Sequence, residues 1–131
     1  MGLSPASDQP AIRVVMMPRD VNPQGSIFGG VLMSLIDQAA WIEALRQAPH
    51  HRYVTVAIDR VEFHCPVLVG DVVSLWATAT KVGRTSITVH VEVRAQRPSN
   101  GTGATDQIKV TQGDVVMVAT SPDGKPVAVF G

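Results

Sequence analysis

Residues 29–48 read GGVLMSLIDQAAWIEALRQA, from Gly29 to Ala48, with no proline and with good helix formers throughout. This run decides the fold. Its first half is apolar nearly all round, through Val31, Leu32, Met33, Leu35, Ile36, Ala39, Ala40, Trp41 and Ile42. A helix that is hydrophobic on every side must be enclosed by something and cannot merely rest on a surface. Glu43, Arg46 and Gln47 make the later part polar, which predicts that this end reaches water, and Pro49 closes it.

Downstream of His50 and His51 the period changes to that of β-strands. Val54 to Cys65, Val72 to Val82, Ser86 to Gln96 and Ile108 to Thr120 are rich in Val, Thr and Ile. The run Ser86-Ile87-Thr88-Val89-His90-Val91-Glu92-Val93 alternates strictly, so that strand has one apolar face. Pro66 to Asp71, Gly83-Arg84-Thr85 and Pro98 to Asp106 carry turn chemistry, and Ser121-Pro122-Asp123-Gly124-Lys125-Pro126 precedes a last short strand, Val127–Phe130. Upstream, Ala11 to Met17 reads as a strand stopped by Pro18, and residues 1–10 as a loose tail. The turn-rich stretch Pro18 to Gly25 is too polar for a core and leads into a rigid element, a setting in which loops carry function. One helix segregated from a run of antiparallel strands is the pattern of an α+β domain. A small sheet can enclose an apolar helix only by curling about it, and its open edges then favour pairing with a second copy.

The chain has 131 residues, about one domain. A mean hydropathy of +0.16 is high for so short a soluble chain and also suggests burial against a partner subunit. With 11 basic and 11 acidic residues the formal net charge is +0, which argues against binding to nucleic acid or an anionic membrane. Cys65 is alone, so it can neither staple the chain nor build a metal knot, and before Pro66 it reads as a small core residue. The first residues have no basic and apolar leader pattern, and no apolar run approaches the roughly 20 residues of a membrane span. A cytoplasmic protein is expected.

Asp37 departs most from its setting, a carboxylate between Ile36 and Gln38 on an apolar helix. Burying such a group unpaired costs several kcal/mol, so it needs donors, a raised pKa or a function. A structural aspartate bonded to nearby backbone fits the spacing equally well. Gly29 and Gly30 open the helix where first-turn N–H groups lack helical partners, an end that stabilises phosphate or an oxyanion. A glycine pair can also be no more than a tight turn. The histidines His50, His51, His64 and His90 lack metal-ligand spacing, and there is neither a nucleophile elbow nor a phosphate-binding loop. Arg84 in its hairpin could grip a phosphate.

The run from Asp20 to Asp37, DVNPQGSIFGGVLMSLID, contains N-x-x-G-x-x-F-G-G-x-L-M-x-x-x-D and resembles the signature of the YciA-type acyl-CoA thioesterases, which are hotdog-fold enzymes. The likeness continues through Val54–Phe63, Pro66–Val73, Gly83–Ile87 and Asp123–Pro126, and covers about residues 11–128. It implies a hotdog domain over 11–131, with a long central helix wrapped by a curved antiparallel sheet and two sheets joined across a dimer. It also implies hydrolysis of acyl-CoA to fatty acid and CoA, with no further cofactor. By position Asp37 would be general base or nucleophile, and Asn22 would act with it, usually from the partner subunit. The Gly29 or Gly30 backbone would polarise the thioester carbonyl. Arg84, Thr85, Ser86 and Lys109 match positions near the CoA nucleotide or pantetheine. The resemblance implies at least a homodimer, and a hexamer made as a trimer of dimers. Gln112 stands where relatives often carry an acid, so any charged role there is lost. Hotdog proteins also include acyl-CoA sensors that bind without catalysis, and dehydratases, though no histidine lies in the loop–helix motif to support the latter.

Overall fold

The computed structural model describes residues 2–97 and 107–131; the expected turn Pro98 to Asp106 lies outside the described residues. Strand β1 (Ile12–Val15) leads through a single 3-10 turn, Pro18–Asp20, to helix α1 (Gly29–Gln47). Four strands follow: β2 (Arg52–Phe63), β3 (Val72–Val82), β4 (Ser86–Gln96) and β5 (Gln107–Thr120). They form one antiparallel sheet in the order β1-β3-β4-β5-β2, with α1 laid across it. The expected helix packed on an antiparallel sheet is what the chain forms. Among the described residues no helix is long and apolar enough to cross a membrane.

The alternation read in β4 is the packing that occurs. Ile87, Val89, Val91, Val93 and Ala95 are buried, and the residues between them face outward. These side chains meet Leu32, Ile36, Ala39, Ala40 and Ala44 of α1 in one core. The alanines let the helix approach the sheet closely, and a Cβ on Gly113 of β5 would stand 3.0 Å from Val61 Cγ2. A larger residue there would push Val61 and the edge strand β2 outward by a few tenths of an ångström.

Three expectations are corrected. The polar end of α1 does not simply reach water, because Glu43 and Gln47 are buried. Glu43 accepts hydrogen bonds from Arg46 Nε (2.6 Å), Gln47 Nε2 (3.0 Å) and the Ala79 N–H (3.4 Å). Burial alone would push its carboxyl up, yet these bonds and the Arg46 charge hold it below the ordinary value. The N-terminal tail is not loose along its whole length. Ser4 N–H donates to Gln47 Oε1 (2.6 Å), its carbonyl accepts from Gln47 Nε2 (3.1 Å), and the Pro5 carbonyl accepts from Arg46 (2.8 Å). Val127–Phe130 is not a strand. It keeps only single bonds, Val127 N–H to Ala119 O and Val129 N–H to Arg84 O (each 2.9 Å), beside an isolated bridge from Thr120 to Pro126. Pro126 has no N–H to offer a ladder.

The enclosure expected for α1 is one-sided within a single chain. Trp41 and Ile42 of α1 remain exposed, and Val54, Val56 and Phe63 of the edge strand β2 are about half exposed.

Candidate active site

Asp37 lies midway along α1 and is half-buried. Thr55 pairs with the inward-facing Met117 of β5, so its side chain points to the helix side of the sheet. There Thr55 Oγ1 donates to Asp37 Oδ1 at 2.5 Å, a short charge-assisted bond. Asp37 Oδ2 has no hydrogen-bond partner among the described residues. One oxygen is therefore held and the other is free to take a proton. Thr55 was not singled out from the sequence. The alternation Val54-Thr55-Val56 put it on the face opposite its neighbours, but nothing local said that α1 covers that face.

The helix start has the donors expected of it. Phe28 O accepts from Val31 (3.1 Å) and Leu32 (3.5 Å), while the N–H groups of Gly29 and Gly30 make no backbone hydrogen bond. An open cavity of about 280 Å³ lies against this end, lined by Ser26, Gly29, Leu32, Phe63, His64 and Cys65. Phe63 lies over it, with its ring in van der Waals range, 3.4 Å from where a Cβ on Gly29 would stand. A larger hollow of about 600 Å³ lies at the opposite end of α1, against His50, His51 and Phe130. Neither hollow is lined by a carboxylate side chain, so within one protomer Asp37 opens into neither of them. Among the described residues no cluster of His, Cys, Asp and Glu could hold a metal ion.

Asn22 is spent on its own turn. Its Oδ1 accepts from Gln24 N–H (2.9 Å) and Ser26 N–H (3.1 Å), and its Nδ2 donates to Ser26 Oγ (3.1 Å). That turn stands before the helix, whereas Asp37 is eight residues into it, about 12 Å along the axis. One protomer does not bring Asn22, the glycine amides and Asp37 onto a common carbonyl.

The residues expected near CoA also divide. Arg84, Thr85 and Ser86 share the β3–β4 turn, closed by Gly83 N–H to Ser86 O (2.8 Å). Lys109 pairs with Arg94 at the other end of β4, eight residues from Ser86 or about 26 Å away. Its Nζ lies 3.5 Å from Glu92 Oε1 on the outer sheet face. Partial burial alone would push the Glu92 carboxyl up, but Arg94 and Lys109 hold it below its ordinary value. Sequence proximity to a family position could not reveal this separation, because strand register sets it.

With this geometry in hand, the sequence matches the thioesterase superfamily over residues 24–101. It is 44% identical to an uncharacterized acyl-CoA thioester hydrolase of Zymomonas mobilis, over 97% of this chain and 81% of that protein. It is 40% identical to the acyl-CoA thioester hydrolase YciA of Salmonella typhimurium, over 88% of this chain and 85% of that protein. Among solved structures, a hexameric hotdog fold thioesterase of Campylobacter jejuni superposes with a TM-score of 0.84 at 43% identity, covering 92% of this chain and 90% of that one.

Proposed function

Because this chain belongs to the hotdog-fold thioesterase superfamily and is an acyl-CoA thioester hydrolase, we propose that Asp37 is its general base, in a site completed by two protomers. The observation that carries this reading is the Thr55–Asp37 bond, which fixes one carboxylate oxygen and leaves the other unpaired. Asp37 Oδ2 takes a proton from water as the water oxygen bonds to the thioester carbon. The carbonyl oxygen then bears the charge, which the N–H groups at Gly29 and Gly30 stabilise. Collapse of this intermediate breaks the C–S bond, and the CoA thiolate leaves and takes up the proton. CoA is part of the substrate, and the chemistry calls for no other cofactor.

The separation of about 12 Å between the helix start and Asp37 favours a partner as the source of the glycine amides and Asn22. The half-exposed apolar edge of β2 and the exposed Trp41 and Ile42 of α1 supply surface for that partner. The assembly we assign is a homodimer at least, and a hexamer of three such dimers. Residues 11–131 form the single thioesterase domain. Arg84, Thr85 and Ser86 are assigned to CoA binding, and Lys109 can join them only at a site formed between chains. With one cysteine and an acyl-CoA substrate, the cytoplasm is the compartment we assign.

Thiol release from a panel of acyl-CoAs, from acetyl to palmitoyl, tests the activity and separates it from binding without catalysis; binding with no release would overturn it. A single turnover in 18O-labelled water should put label in the first acid released. Unlabelled acid in that turnover would make Asp37 a nucleophile instead. The shared site is tested by mixing Asn22→Ala with Asp37→Asn through the unfolded state. Half of randomly paired dimers are mixed, each with one intact site of two, so activity should return to about a quarter of wild type. If both residues served from one chain, mixing would restore nothing.

A further inference from the structure

Arg60 is the one non-glycine residue with a left-handed backbone among those described, at φ 56°. It lies in β2 where the pairing with β5 slips between Asp59 and Glu62. The slip has a packing cause: Val61 turns inward over Gly113, 3.0 Å from where that glycine's Cβ would be. A left-handed residue is needed to make the turn, and glycine would supply it without steric strain. An arginine at this position therefore needs its own explanation. Its neighbour Asp59 does not provide one, since that carboxylate accepts the Arg60 backbone N–H (2.8 Å) and not the guanidinium. The Arg60 guanidinium has no hydrogen bond or ion pair among the described residues, although Asp59 and Glu62 are close in the chain. Arg19, Arg52, Lys81 and Arg84 are exposed cations too, but none is held on a strained backbone.

The position along β2 gives the strain a use. Arg60 is five residues from Thr55, the partner of Asp37, which is about 16 Å along a strand. The arm of CoA between its sulfur and its pyrophosphate is a chain of about a dozen bonds with two amides. Extended, it spans about as far as four or five residues of peptide. With a thioester at Asp37 and the arm laid along β2 toward Phe63, the diphosphate reaches the level of Arg60. The Arg84–Ser86 turn is level with Val54 and lies the other way, so it would meet this CoA only from another chain. We propose that Arg60 is a specificity-determining residue that binds the phosphates of acyl-CoA, and that its left-handed backbone is retained to present a guanidinium there. Arginine suits this role because its planar fork takes two phosphate oxygens at once. The inference rests on the acyl-CoA hydrolase reading of the site.

The test compares acyl-CoA with the same acyl group on N-acetylcysteamine, which keeps the thioester but lacks phosphate. Arg60→Gln should raise KM for acyl-CoA about tenfold, with kcat little changed and the truncated substrate unaffected. Arg60→Lys should recover only part of the affinity. Arg60→Gly should show the same KM defect while raising the thermal midpoint by a few degrees, since it releases the backbone strain. An unchanged KM for acyl-CoA in Arg60→Gln overturns the proposal, as does an equal loss on both substrates, and a lowered midpoint in Arg60→Gly removes its premise. Wild-type hydrolysis of neither substrate would instead sink the hydrolase reading on which it stands.

Discussion

Strands β4 and β2 are nearly the same length, 11 and 12 residues, and each carries three valines. In β4 Val89, Val91 and Val93 are each 0% exposed, whereas in β2 Val54 and Val56 are 48% and 57% exposed. The difference is one of position. Strand β4 has a partner on both sides and α1 above it, while β2 pairs only with β5 and leaves its other edge open. A long apolar edge strand is a liability in a monomer and a seam in an assembly. Apolar content in one strand closes the chain on itself; in the other it stays at an open edge, beside Thr55 and its bond to Asp37, where we place the partner subunit.

That contrast breaks most sharply at Asp37. Asp37→Asn should leave fold and assembly intact while lowering kcat by about 100-fold or more, measured by thiol release alongside light scattering. A wild-type rate in a well-assembled variant would make Asp37 structural. Thr55→Ala, which removes the bond that holds Oδ1, should lower kcat by about tenfold, and Thr55→Ser should restore most of it. A change confined to KM would mean that Thr55 shapes the pocket and does not position the base.

The two strands are compared directly by Val56→Asp and Val91→Ala. Placing a charge on the seam should release a species of 14.0 kDa in sedimentation, with activity lost as the oligomer dissociates. Truncating the buried Val91 should instead cost about 2 kcal/mol of stability and leave the folded material assembled. If Val56→Asp stays assembled and active, the edge of β2 is not the seam. The smallest effect is expected at Glu43, whose carboxyl is held below its ordinary value of 4.5 by Arg46 and Gln47 against the opposing effect of burial. A carboxyl depressed in the folded state contributes stability above that ordinary value and loses it as pH falls through the folded one. Acid unfolding of wild type against Glu43→Gln should therefore show the two converging below about pH 4.5.

Much of this molecule was legible before any fold was known. The limits of β3 and β4 agree with the periodicity to the residue, and α1 ends one residue before the expected Ala48. Asp37 was visible as an anomaly because a carboxylate on an apolar helix must be compensated, and compensation is a local demand. Thr55 was not visible, because its meaning depends on a helix more than a turn of sequence away. Glu43 looked like a solvated end of α1 for the same reason: the Ala79 N–H that helps satisfy it comes from β3.

The sequence by itself determined the elements, since periods of 3.6 and 2 are properties of the backbone over a few residues. Its mean hydropathy also pointed to apolar surface left for a partner, and Trp41, Ile42, Val54 and Val56 do stand exposed in one chain. Tertiary structure decided which of those residues meet. It set Thr55 against Asp37, put Lys109 and Arg84 at opposite ends of one strand pair, bent β2 at Arg60 and left its edge open. Those outcomes depend on strand order and register, which are set by contacts between residues far apart in the chain, and a shift of one residue would turn each of these side chains to the other face.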